Sequence, residues 1–418
     1  MSIMSAMKRK NLLIIIVYTI LNKYLNKIIF YLFLFLFELI IFLNISHLPQ
    51  KVFNRNQLKT YIKYINDCKN HKRYNRAKII NKNPYISVCI PALNMKKYIE
   101  NAILSIINQS FQDFEIIVVN DNSNDDTEKI IKKLQLEDNR IKLINHNHSK
   151  GVYYSRIEAV LFAKGKYIIL MDPDDLYLNE NLFKELYNYN FKYNLDIIEF
   201  TVFQKIEGRR KILYPKKHFE SHFHNFTDTL IFQPNLSEIL FHIPSNNMYT
   251  YSICRNIWNK MIRRKLFLDM HEFIGLNYFN DFVITADDMA MNLIIYHFAN
   301  NYSNIYLPGY MYNIRQVSMS HGDGGDRLNQ IRAINYLLYF KIIFKFIKQF
   351  EINRKILFHE LRNLKRFIYF IKDNNMTDYE KLTINFMNEI LNDYFADKIF
   401  KSFIIELLLY FEKVDDNA

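Results

Sequence analysis

The sequence predicts an α/β domain, a mostly parallel sheet with helices packed on its faces. Three observations carry this. Short β-branched apolar runs alternate with helix-period segments from Tyr85 to Asp172. The connections between them are short enough for right-handed crossovers. Carboxylates and asparagines gather where the runs end, and open α/β sheets bind ligands beyond the carboxyl ends of their strands.

Each element has its own signal. "YISVCIP", beginning at Tyr85, is a β-branched run closed by Pro91, hence a buried strand. "KKYIENAILSIINQSF" sets Ile99, Ile103, Ile106 and Ile107 on one helical face. "FEIIVVND" is the second strand. Ser123 with Asp126 reads as a capping box opening a helix that carries Ile130, Ile131 and Leu134. "RIKLIN" is the third strand. A helix from about Val152 to Lys164 follows, with Gly165 as its stop signal. "KYIILMD" is the fourth.

The strand ends collect Pro91–Asn94, Asn120–Ser123 and Asp172–Asp175 at one edge. In "YIILMDPDDLYLNE" three carboxylates, Asp172, Asp174 and Asp175, surround Pro173. Carboxylates so close repel one another, and a cation or a set of donors relieves that repulsion. A solvated turn capping the next helix is the alternative. The chain has only eight glycines and no glycine-rich turn at these ends. Phosphate cradled by backbone amides is therefore not expected, whereas carboxylates holding a divalent ion need no glycines.

The formal charge of +13 invites a nucleic-acid reading, but its distribution removes it. Residues 1–83 hold 15 Lys/Arg against two acids, and the other 335 residues are balanced. A basic arm on a neutral body does not track phosphates, and no nucleic-acid partner is expected. The arm flanks "IIFYLFLFLFELIIFL", residues 28–43, with Glu38 as its one acid. Extended to Leu48 this run reaches the roughly 20 residues of a spanning helix. Beside a basic stem it predicts an uncleaved, single-pass anchor at an anionic membrane, an endomembrane such as Golgi or ER in a eukaryote. Five Lys/Arg before the run and four close after it leave the orientation open. Cys68, Cys89 and Cys254 are too scattered for a metal or disulfide framework. The organisation expected is an anchor over 1–48, a basic stem over 49–83, a catalytic domain over 84–325 and a helical region over 326–418. The last, with "YLLYFKIIFKFIKQF", packs on the catalytic domain or lies as a basic amphipathic surface on a membrane.

"ISVCIPALNMKKYIENAILSIINQSFQDFEIIVVNDNSNDDT" followed by "GKYIILMDPDD" resembles glycosyltransferase family 2 with its GT-A, Rossmann-like fold. "WNKMIRRKLF" (258–267) is similar to the family's acceptor-side segment, and "ADDMAMNL" (286–293) to its acidic pair opening a helix. The resemblance covers about 84 to 320. It implies an inverting, membrane-anchored transferase using a nucleotide-sugar donor, UDP-linked, a glycan, protein or lipid acceptor, and Mn²⁺ or Mg²⁺. It implies donor contacts at Pro91, Asp121, Arg156 and Asp172, with Asp121 on the nucleotide base, metal ligation by Asp172 and Asp174, and Asp288 as catalytic base beside Asp287. Plainer roles exist: a turn residue for Asp121, a surface ion pair for Arg156, a helix-opening acid for Asp288, a helix cap for Asp175. Asn122 stands where the family has Gly, and Asn tolerates the left-handed turn next best. Asp287 stands where the family has Glu. His321, in a loop with three glycines in four residues, is not expected to be a third metal ligand. The sequons at Asn225 and Asn235 carry little weight in so asparagine-rich a chain. Two rival functions are a transferase with a polyprenyl-phosphate-linked donor or acceptor, and a silent glycan-binding scaffold, though silencing usually removes the acids that are present here.

Overall fold

Strand β1 (Ile86–Ala92) is buried along its whole length. It pairs in parallel with β2 (Phe114–Asn120) on one side and β4 (Tyr167–Leu170) on the other, and β2 pairs in parallel with β3 (Ile141–Asn145). A strand flanked on both edges and covered on both faces has no solvent side, which is why it reads as an unbroken apolar run. The crossovers are α1 (Ile99–Ile107), α2 (Thr127–Glu137) and α3 (Val152–Phe162), as the periodicity predicts. The computed structural model describes residues 81–206, 212–213, 229–232, 256–274, 287–315, 325–350, 384–385 and 387–388. These lie in the second of two compact units, Lys59–Ala418. The expected anchor at 1–48, most of the stem, the two sequons and His321 lie outside the described residues.

Beyond β4 the chain adds β5 (Leu176–Tyr177), α4 (Leu182–Tyr193), β6 (Ile197–Ile206), β7 (Ile212–Leu213), β8 (Thr229–Phe232) and β9 (Lys260–Arg263). Helices α5 (Arg264–Ile274) and α6 (Asp287–Phe298), strand β10 (Asn301–Ile314) and helix α7 (Gly325–Phe350) complete it. The sheet order is β3-β2-β1-β4-β9-β6-β10-β5, with β7 on β6 and β8 on β10. The four strands expected to be parallel are so. The sheet as a whole is mixed, however, because β9 runs antiparallel to both β4 and β6. Only four residues long and continuing straight into α5, β9 offers too few residues for a period-2 signal.

Alternate strand residues fill two cores. Val88, Ile90, Ile116 and Val118 pack with Ile103 of α1 and Ile131 of α2 on one face. Cys89, Ile117 and Val119 pack with Ile157 of α3, Ile294 of α6 and Phe346 of α7 on the other. Helix α7 thus packs against α3 and α6 over one face of the sheet, while nearly all of the rest of the expected helical region, residues 351–418, lies outside the described residues. Two local expectations change. Ser123 and Asp126 form no capping box: the Asp125 carboxylate accepts the Thr127 N–H at 2.9 Å, while Ser123 Oγ accepts the Asn94 N–H. Helix α3 ends at Phe162, and Gly165 serves a close approach instead. A Cβ there would overlap Ser87 Oγ and stand 2.6 Å from Ser87 N, at the start of β1. Gly165→Ala is therefore expected to destabilise the domain by about 1–3 kcal/mol, the usual cost of overpacking, read as a lowered denaturant midpoint.

Candidate active site

Strands β1, β2 and β4 end at the same edge, and the loops leaving β1 and β2 are tied together. The Asp121 N–H donates to the Ala92 carbonyl at 2.8 Å, the Asn124 N–H to Asn94 Oδ1 at 2.9 Å, and the Met95 N–H to Thr127 Oγ1 at 2.7 Å. Asn94 and Asn122 take left-handed backbone conformations, φ 55° and 62°. Asn122 thus fills the turn position that glycine occupies in the resembling pattern. Pro91 lies buried one residue before the end of β1, in register with Val119.

Three of the expected residues meet around one guanidinium. Arg156, on α3, donates from Nη2 to Asp172 Oδ1 at 2.8 Å and from Nη1 to Asp287 Oδ2 at 2.6 Å and to Asp288 Oδ1. Its side chain is only 6% exposed. Arg156 is therefore not a surface ion pair. Burial works to lower its pKa, but Asp288, Asp287 and Asp172 outweigh that and hold it well above the ordinary value. Asp287 and Asp288 open α6, as the sequence predicts. A helix N-terminus favours an ionised carboxylate. At Asp288 burial is the larger effect and pushes the carboxyl up to about 7, with Arg156 pulling it down and Asp287 and Asp172 adding to the rise. The Ile257 main-chain amide also donates to it.

The acidic turn after β4 divides by role. Asp175 is fully buried and does not cap a helix. Tyr310 Oη donates to its Oδ2 at 2.5 Å and the Asn313 N–H to its Oδ1 at 2.8 Å. Burial, then the charges of Asp174 and Asp172, lift Asp175 well above the ordinary carboxylate range. Asp174 faces Arg315 through an ion pair. Burial and then Asp172 push it up to about 6, against the pull of Arg315. Trp258, from the acceptor-side segment, is buried and stacked on Tyr310 (4.8 Å, 15°) and Tyr312 (5.0 Å, 6°), and so buttresses the strand that holds Asp175.

Asp121 sits apart from this cluster with its own partners. Its Oδ1 accepts from His146 Nδ1 at 2.6 Å and the Lys150 N–H at 2.7 Å, its Oδ2 from Ser149 Oγ at 2.5 Å and the Gly151 N–H at 3.0 Å. His146 Nε2 meets Glu158 of α3. Sequence reasoning missed His146, Glu158, Tyr310, Asn313 and Arg315.

Residues 87–258 match the model for "Glycosyl transferase family 2". A Campylobacter jejuni "GalNAc(5)-diNAcBac-PP-undecaprenol beta-1,3-glucosyltransferase" is 41% identical over 93 residues, 22% of this chain and 30% of that protein. An Escherichia coli "UDP-Glc:alpha-D-GlcNAc-diphosphoundecaprenol beta-1,3-glucosyltransferase WfgD" is 30% identical over 138 residues, 31% of this chain and 54% of that protein. Bacillus subtilis glycosyltransferase EpsJ is 28% identical over 210 residues, 50% of this chain and 55% of that protein. The chain thus spans less than two thirds of the length of these relatives. Among solved structures, S. aureus TarS 1–349 in complex with UDP-GlcNAc is similar at 19% identity and TM-score 0.44, over 69% of this chain and 80% of that one.

Proposed function

Residues 87–258 of this chain belong to glycosyltransferase family 2, and from that premise we propose that the protein moves a sugar from a UDP-linked donor to an acceptor hydroxyl. The observation that carries the reading is the Asp172–Arg156–Asp287/Asp288 cluster at the carboxyl edge of the sheet. It joins the strand end where a donor binds to the helix start where a base is needed. A silent scaffold has no use for a carboxyl held near neutrality beside an arginine. The acceptor we propose is a glycan on a polyprenyl diphosphate. It is favoured by the activities that name the C. jejuni and E. coli relatives and by the apolar run at 28–43.

In this reading Asp288 takes the proton from the acceptor hydroxyl as its oxygen attacks the anomeric carbon. The bond to the diphosphate breaks in the same displacement, so configuration inverts and no covalent intermediate forms. Arg156 keeps Asp287 and Asp288 from repelling one another. Asp172 and Asp174 suit a hard divalent cation. Both present oxygen donors, and burial and then the Asp172 charge push the Asp174 carboxyl up, which a bound cation would relieve. Among the described residues no group of three or more His, Cys, Asp or Glu is placed to hold a metal, so Asp172 and Asp174 would be the side chains that hold it. Bound there, Mn²⁺ or Mg²⁺ supplies neutralisation of the leaving charge.

The test is a donor screen on the full chain in membranes, reading nucleoside diphosphate release with a polyprenyl-diphosphate glycan present. Metal-dependent release from one donor supports the reading. No release from any donor, with the chain folded, overturns it.

We also propose that residues 28–48 hold the chain in a membrane. No helix among the described residues is long and apolar enough to cross one. Deleting residues 1–80 is expected to move the protein to the soluble fraction after high-salt extraction. Continued pelleting with lipid would assign the anchoring to another segment.

A further inference from the structure

The chain of contacts from Asp121 through His146 to Glu158 has no part in the chemistry above, yet it is complete, with Asp121 and His146 buried and Glu158 half-buried. A carboxylate has about four acceptor positions. All four of Asp121 are filled from one short loop, by His146, Ser149, Lys150 and Gly151. That loop runs directly into α3. Gly151 is the residue before the helix, at φ 88°, a conformation that glycine adopts without strain, and its carbonyl accepts from both the Ser155 N–H and Ser155 Oγ. The imidazole of His146, only 2% exposed, grips the helix a second time through Glu158. Arg156 is two residues from Glu158 on the same helix, and its guanidinium must reach carboxylates on two other elements at once. A small slide or turn of α3 loses one side of that fork.

We propose that His146, clamped between Asp121 and Glu158, is a positioning residue that fixes α3 and thereby sets Arg156 in the carboxylate cluster. Asp121 then serves as the fixed end of this clamp, and the role of Arg156 in transfer rests on the function proposed above. The clamp itself is geometric and does not depend on that function.

The test is a double-mutant cycle in the full chain between His146→Ala and Arg156→Lys, read first in the denaturant midpoint and then in turnover. Sites that do not communicate add. If the clamp sets Arg156, the two losses are non-additive in the midpoint. In turnover, His146→Ala lowers kcat about 10-fold or more, with the donor KM changing less, and adds little once Arg156 is Lys, on the scale of misplacing a catalytic constellation. Glu158→Gln, whose amide meets the imidazole nitrogen as donor or acceptor, keeps most of kcat, whereas Glu158→Ala does not. Additive losses in the midpoint overturn the proposal, as does an effect of Glu158→Gln equal to that of Glu158→Ala. Should His146→Ala fail to fold, His146→Gln keeps a donor toward Asp121 and runs the same cycle. Absence of turnover in the parent chain overturns the proposed function, while the midpoint cycle still decides the clamp.

Discussion

Asp288→Asn is expected to lower glycosyl transfer by about 100-fold or more, the usual scale of general-base catalysis, with donor affinity little changed. Asn keeps the size of the side chain and its ability to accept from the Ile257 amide, but it cannot take a proton. A sugar hydroxyl is a poor nucleophile near neutral pH, so loss of the base falls on kcat. Desolvation of Asp288, whose side chain is half-buried, pushes its carboxyl up to about 7, well matched to that work. The base acts only when ionised. Transfer should therefore fall as pH drops below about 7, and that acid limb should vanish in the residual activity of Asp288→Asn. The same shift has a cost in stability. Between the ordinary carboxylate value of about 4 and the folded value, the folded state holds the proton that the unfolded state has lost, so this contribution declines as pH rises. Unaltered transfer by a folded Asp288→Asn chain places the base elsewhere, with Asp287 the next to replace.

Arg156→Ala is expected to be the most destabilising single change in the site, by about 3–5 kcal/mol, the scale for removing one partner of a buried ion pair. Its guanidinium is the shared partner of Asp172, Asp287 and Asp288. Without it three carboxylates are left close together with no cation between them, and they repel one another. The sign follows: the loss should be greatest at alkaline pH and shrink as acid neutralises the cluster. Equilibrium denaturation of parent and variant across pH reads this directly. A loss under about 1 kcal/mol at every pH, the scale of an exposed pair, would mean that solvent already neutralises the cluster. Arg156→Lys should recover part of the stability and less of the activity, because an ammonium is a point charge without the planar fork that meets Asp172 and Asp287 together.

Much of this site is legible in the chain's own pattern. Asp172 and Asp174 stand where the strand-end pattern puts them, Asp287 and Asp288 open a helix as the family resemblance implies, and Asn122 takes the left-handed turn its residue type allows. Their partnerships are not legible there. Asp175 has the composition of a helix cap and the contacts of a buried anchor, because Tyr310 and Asn313 reach it from β10. Asp121 looks like an open acceptor and is a saturated one.

What the sequence alone determined is local. Unbroken apolar runs mark β1, β2 and β4 as buried along their whole length, and apolar period fixes which face of α1 packs, since both are set by neighbours within a few residues. It determined likewise that acids would lie at strand ends, since a strand's direction orders its residues. Only the tertiary structure decided the antiparallel insertion of β9 and the meeting of Arg156 with acids more than 130 positions away. It alone also decided that burial outweighs a helix terminus at Asp288. These depend on which distant segments close on one another and on how much water they exclude. No local period encodes that, because desolvation belongs to the assembled cluster and not to any one residue in it.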